Sequence, residues 1–424
     1  MTQVPVFMCA PERMHRHTPH SHTTRRVTAP NPATRTLLAA SVDGDITMVL
    51  AVLEARNANG VTAPCAAPSD HRVSSTFKHE ALNAAVRTAC TFGHEVALRH
   101  LMQQPHVDLA SDGNFCLISA SAHGHLAIVD RLLRSGRVDA SAQRNAALRW
   151  ACTFGHVDVV RRLLAEPRVD AGDDDHVAIR RACRNGKLAV AQCLLATPGV
   201  DATARDHEAL RQACAHGHTA IVRCLLRVDG VDPAAKNCEA LIAACTHGHA
   251  DVVEALFATG RADRNVRQLA LLHAVGYKHA PVVERLLRCP DLDTSVNAQY
   301  CLFVTSVCPT SYAAPVMSAL LKDKRLNPAV GSHVALRSAA KQGVVDAVHQ
   351  FLQDERVRND EAAIHCALDA AYDALRDRLL PSACRRRLVD VIRVLHHHGS
   401  ARRMKYSRRW RDDEVPLCTT EVSE

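Results

Sequence analysis

Apolar residues fall on two short helical stripes that alternate along the chain. Leu148, Ala151 and Cys152 form one; Val159, Val160, Leu163 and Leu164 form the next, after Gly155-His156. Spacings of three and four place each set on one face of a helix of about three turns. The pair recurs as Leu210, Ala213, Cys214 and then Ile221, Val222, Leu225, Leu226, with Val190, Ala191, Leu194 and Leu195 between. A Gly between the helices supplies the positive φ of a tight reversal. The second helix is expected to stop at a Pro three residues before an Asp (Pro105, Pro167, Pro198, Pro290) or at a Gly there (Gly136, Gly260). Proline cannot continue a helix and glycine caps one at little cost. The predicted order is helix, Gly turn, helix, terminator, short connector.

Two markers keep this order in phase. Val107-Asp108, Val138-Asp139, Val169-Asp170, Val200-Asp201 and Val231-Asp232 are 31 residues apart, and Asp263 keeps the register. Gly93-His94, Gly124-His125, Gly155-His156, Gly217-His218 and Gly248-His249 repeat with the same period, Gly186-Lys187 filling the fourth place. A fixed period of this length is the signature of a stacked repeat and overrides any domain count taken from length.

The string from Asn145 to Leu164, NAALRWACTFGHVDVVRRLL, resembles the ankyrin repeat, whose consensus runs T-P-L-H-x-A-A-x-x-G-H-x-x-V-V-x-x-L-L. The resemblance covers roughly residues 36–400. Thr-Pro is lost, the His after Leu is usually Arg (Arg87, Arg149, Arg180, Arg211, Arg337), and the unit has 31 residues instead of 33. The projecting hairpin of typical ankyrins should therefore shrink to a turn. The resemblance implies an all-α ankyrin-repeat solenoid of helix-turn-helix units with short connectors. Residues 34–400 read as an array of ten or eleven units, irregular near 58–76 and 300–315. Residues 1–33 read as a disordered segment, and 401–424 as a basic, then acidic, tail.

Composition narrows the function. The chain has 424 residues, 47% hydrophobic and 23% charged, the balance of a folded soluble protein. No apolar run is long enough for a membrane span, and the N-terminus lacks a secretory pattern. Seventeen Cys then point to a reducing, cytoplasmic location with free thiols. Cys90, Cys152, Cys183, Cys214 and Cys245 share one repeat position, and stacked helices about 8–10 Å apart exceed disulfide reach. They read as small core residues. The same spacing keeps His94, His125, His156, His218, His249 and His279 from sharing a metal, so they read as helix-start caps and inter-repeat hydrogen bonds. Neither a metal nor a cofactor is expected. No phosphate loop, nucleophile elbow or His-Glu-x-x-His string occurs, so no catalytic residue is assigned. A net charge of +8 is spread among acids, which argues against a dedicated nucleic-acid groove.

What the resemblance implies is a noncatalytic, monomeric scaffold that binds a protein on the concave face. In ankyrin arrays the two residues before each Gly and one exposed first-helix position are contact sites. Carried onto this chain, the candidates are Phe92, His123, Trp150, Phe154, Arg181, Arg184, Asn185, His216 and His247, centred on Trp150 and Phe154. Aromatic and Arg side chains dominate interface energies, and aromatics are only 4% here. A competing assignment concerns Leu380-Pro381, which opens a helix in a way similar to the F-box of ubiquitin-ligase adaptors. Arg385 stands where that motif wants an apolar residue, and Val389–Leu395 fits an ankyrin second helix instead.

Overall fold

The computed structural model describes residues 71–399, apart from 105–106, 290–291, 293–296, 308–312 and 378. The segments 1–33 and 401–424, the first unit near residues 36–50 and the loop at Cys308-Pro309-Thr310 lie outside the described residues. The chain divides into two compact bodies, one ending at Ser111 and one starting at Asp112.

The first body holds α1 (His71–Phe92) and α2 (Glu95–Met102), joined by Gly93. α1 begins inside the stretch 58–76 that the sequence marks as irregular. Its last turns bury Leu82, Val86, Ala89 and Cys90, and α2 buries Ala97, Leu98 and Leu101.

The second body repeats that pair. First helices are α3 (Ser111–Ala122), α5 (Ala142–Phe154), α7 (Asp173–Arg184), α9 (Ala204–Ala215), α11 (Ala235–His247), α13 (Arg264–Gly276), α15 (Asn297–Val307) and α17 (Val330–Gln342). The second helices that follow them are α4 (Leu126–Arg134), α6 (Val157–Leu164), α8 (Leu188–Leu195), α10 (Thr219–Leu225), α12 (Ala250–Phe257), α14 (Ala280–Leu287), α16 (Ala313–Lys322) and α18 (Val345–Gln353). A single turn of helix, α19 (Glu355–Arg358), leads to a last pair, α20 (Glu361–Leu375) and α21 (Ser382–Gly399). Ten helix pairs and no strand are present among the described residues.

From α5 onward each first helix packs on the first helices of its neighbours, and second helices pack on second helices in the same way. One pair cannot cover both of its apolar faces; stacking covers them in a continuous core. Of the stripes predicted from sequence, Leu148, Leu163, Leu194, Leu210 and Leu225 are almost wholly excluded from water, whereas Leu164, Leu195 and Leu226 at the ends of the second helices are only half-buried. Each fully buried side chain contributes roughly 1.5–3 kcal/mol. The Cys ladder is part of this core as free thiols. Burial pushes Cys183 and Cys245 up to about 12 and raises Cys152 and Cys214 too.

The Gly-His marker is an interlock between units. Gly217 turns with φ +75°, and a Cβ there would lie 2.5 Å from Nδ1 of His249 in the next unit. His249 Nε2 in turn hydrogen-bonds Ala215 O at 3.0 Å, just before that glycine. His156 on Ala122 O (3.0 Å), His218 on Arg184 O (3.0 Å) and His279 on Thr246 O (2.8 Å) repeat it. The inter-repeat hydrogen bonds match the expectation, whereas the caps do not. Each His stands at an N-cap position with φ near −80 to −90° and makes no side-chain cap bond, because its ring is turned away to the preceding unit.

The Asp marker shapes the connector. Asp139 Oδ1 accepts from Ser141 N (3.0 Å), Asp201 Oδ1 from Thr203 N (2.7 Å) and Asp232 Oδ1 from Ala234 N (3.0 Å). Such turns end the loop before the next first helix. The reduced hairpin takes an unforeseen form. In five successive units three consecutive residues are left-handed, for example Gln143, Arg144 and Asn145 at φ 52–55° and Arg205, Asp206 and His207 at φ 53–60°. The second helices also stop earlier than expected. α6 ends at Leu164 and α8 at Leu195, each capped by an Ala two residues before the Pro. Pro315 lies in the first turn of α16. An amide there has no intrahelical partner, so its loss costs little.

Candidate partner-binding surface

A polar or aromatic residue stands directly before the Gly turn that follows α3, α5, α7, α9 and α11. The apolar stripe of the helix is committed to the core, and this residue, six positions beyond Leu148 or Leu210 and so about one and two-thirds turns on, points away from it. In the second body His123, Phe154, Asn185, His216 and His247 occupy the position, and all five are exposed. The polar ones fold back on their own helix. His123 Nδ1 meets Ser119 O at 2.8 Å, His216 Nδ1 meets Gln212 O at 2.9 Å, and His247 Nδ1 meets Ala243 O at 2.9 Å. Asn185 Nδ2 donates to Arg181 O at 2.8 Å. Each imidazole also stacks on the His two residues on, at 6.0 Å for His123–His125 and 6.4 Å for His247–His249. These bonds satisfy the last carbonyls of the helix and hold the side chains in place.

Phe154 has no such bond and stacks instead on Trp150, one turn back, with centroids 5.8 Å apart and planes at 14°. Trp150 is 39% exposed and Phe154 50% exposed, so the pair is not core. Arg181 of α7 lies over the Trp150 ring, its Cζ 5.5 Å from the centroid, and Nη1 donates to Thr153 Oγ1 at 3.4 Å. Arg184 follows one turn later and is exposed. The fold thus brings Trp150, Phe154 and Arg181 into one cluster beside Arg184. Phe92 is exposed in the first body, stacked on His94 at 6.4 Å.

The register of Trp150 is not uniformly a contact line. Ser119, its equivalent one unit earlier, is buried, and Gln212 and Ala243 are half-buried. Of the residues in this register from Ser119 to Ala243, Trp150 alone is exposed. A second group of exposed aromatics, Tyr277, Tyr300 and Phe303, lies on α15 and at the end of α13, which pack together. Sequence reasoning passed over it because these units lack the Gly-His marker. Among the described residues no group of three or more His, Cys, Asp or Glu is placed to hold a metal ion. No described helix is long and apolar enough to cross a membrane.

Helix pairs stacked through equivalent faces, with a ladder of turn residues left at the surface, define a helical-repeat binding protein. The ankyrin-repeat family model matches residues 86–175, 179–268 and 210–300, and the chain belongs to the ankyrin-repeat family. No curated protein matches the sequence. Among solved structures the chain is similar to the human ASB11 ankyrin repeat domain, at 24% identity over 48% of this chain and 96% of that one, with a TM-score of 0.40.

Proposed function

We propose that this protein is a noncatalytic scaffold that holds a protein partner against the surface carrying Trp150, Phe154 and Arg181. The family consists of protein-binding modules. The observation that favours this place is the exposed ring pair with a guanidinium over it, in a chain with few aromatics. Trp and Arg are the side chains most often found at the energetic centre of interfaces, and flanking contacts mainly exclude water. His123, Arg184, Asn185, His216 and His247 supply the polar rim of this surface. In this reading they line the concave face of the array in the ankyrin sense, and the chain binds as a monomer.

The ubiquitin-ligase adaptor reading is not favoured by the packing at the other end. The apolar face of α21 is covered: Leu388, Val391, Ile392 and Leu395 are buried, and the helix packs on α18 and α20 as a final second helix. Leu379, at 92% exposure, is the one large apolar residue there left open among the described residues.

The test is affinity capture with the full chain and mass spectrometry, beside a chain carrying Trp150→Ala and Phe154→Ala. The double variant is expected to lose its main partner while its unfolding free energy stays within about 1–2 kcal/mol of the parent. A folded variant that captures the same partner would place the site elsewhere. Unfolding of the variant would assign the rings to the core.

A further inference from the structure

The charge around the ring pair is out of balance. Most guanidiniums on the first helices have an acid: Arg149 meets Asp174 at 3.5 Å, Arg180 meets Glu208 at 2.8 Å and Arg211 meets Glu239 at 3.1 Å. Arg181 and Arg184 are different. Among the described residues neither makes an ion pair, and Arg181 is held by a ring face and a hydroxyl alone. Its guanidinium is kept below its ordinary range first by burial and then by the like charge of Arg149, with Arg180 and Arg184 adding to it against the pull of Asp174. A cation in that position gains more from an arriving anion than one already neutralised.

The pair of cations is confined to one unit. In the neighbouring units the positions equivalent to Arg181 are Trp150, Gln212 and Ala243, and those equivalent to Arg184 are Thr153, Ala215 and Thr246, all neutral; further along, Lys341 takes the place of Arg184 beside a neutral Ser338. A nucleic-acid backbone needs cations repeated along its path, since each neutralised phosphate adds its own increment of affinity. Two arginines beside two stacked rings fit a shorter ligand, with one or two carboxylates next to one flat apolar group. We infer that the scaffold's partner presents a short acidic peptide, whose Asp or Glu pairs with Arg181 and Arg184 while a neighbouring apolar side chain rests on Trp150 and Phe154. This inference rests on the binding surface proposed above and adds the chemistry of its ligand. Arginine forks take carboxylates through two parallel hydrogen bonds, so the charge contact also sets the direction of the peptide.

The experiment is selection of a displayed random 12-residue peptide library on the full chain. Enriched peptides should carry Asp or Glu within about three residues of Trp, Phe or Leu. The strongest, made synthetically with a fluorophore, should bind at least tenfold more weakly to the chain with Arg181→Ala and Arg184→Ala, and weaken as salt rises. Replacing the peptide's own Glu by Gln should cause a similar loss, and that arm requires no change in the protein. Enrichment without acids, no enrichment at all, or indifference to both charge changes would overturn the acidic-peptide inference. If such peptides still depend on Trp150 and Phe154, the surface stands and only its chemistry is wrong; if they do not, the surface fails as well. A single-stranded oligouridylate that binds more tightly than any peptide and competes with it would also overturn the inference, in favour of nucleic acid.

Discussion

Ser121 stands where Cys152, Cys183, Cys214 and Cys245 stand in later units, and it is fully buried. Its hydroxyl has no hydrogen-bond partner there. A buried, unpaired hydroxyl costs about 1–3 kcal/mol, whereas a thiol is content in an apolar site of the same size. Ser121→Cys is therefore expected to stabilise the chain by about 1 kcal/mol, read as a higher urea midpoint with an unchanged slope. A lower midpoint would show that the site is already filled by the smaller side chain. The ladder itself was legible in the sequence, because a small residue at a fixed period needs no other context. The vacant hydrogen bond of Ser121 was not, since only the packed helix decides whether a carbonyl faces the hydroxyl.

The element that departs most from expectation is the connector. Three left-handed residues in a row cost roughly 1–2 kcal/mol each where they are not glycine. The structure offsets this with the Arg that replaces the family's His. Arg180 Nε donates to Asp175 O and Nη2 to Asp174 O, both at 3.1 Å, and its remaining branch pairs with Glu208 of the next unit. Arg211 repeats the arrangement on Asp206 O (3.3 Å), Arg205 O (3.2 Å) and Glu239. The end of the turn is tied down as well: Asn114 Oδ1 accepts from Asp139 N at 2.9 Å and His176 Nδ1 from Asp201 N at 3.1 Å. Arg180→Ala should cost about 2–3 kcal/mol, since it frees two turn carbonyls and a half-buried carboxylate. Arg180→Lys should recover less than half, because an ammonium cannot span both carbonyls and the acid. Arg161→Ala, which removes an exposed pair with Asp158, should change stability by less than about 0.5 kcal/mol. Equal effects at the two positions in urea unfolding would refute the clamp. The substitution of His by Arg was visible in the sequence. Its purpose was not, because Gln143, Arg144, Arg205 and Lys236 carry no left-handed signature.

At the scale of the molecule, stability is a sum over neighbouring interfaces, and a weak one lets its two sides open separately. The unit built on α15 and α16 lacks the Gly-His turn, whereas the histidines before α6, α10, α12 and α14 each reach back to the preceding unit. Amide hydrogen exchange is expected to be faster in α15 and α16 than in α5 through α12, with a step at that boundary. Uniform protection from α5 to α18 would contradict the nearest-neighbour picture. The sequence by itself determined the repeat, its period, both helical stripes, the core and the residues exposed before each turn. All of these follow from spacing along a single helix, which is local information. Tertiary structure alone decided that the histidines reach backwards instead of capping, that the connectors turn left-handed under arginine clamps, and that Trp150 emerges where Ser119 is buried. The backward reach of the histidines depends on a carbonyl 33 or 34 residues away and each arginine clamp also takes an acid 28 residues away, and a pattern read within one helix carries no term for that distance.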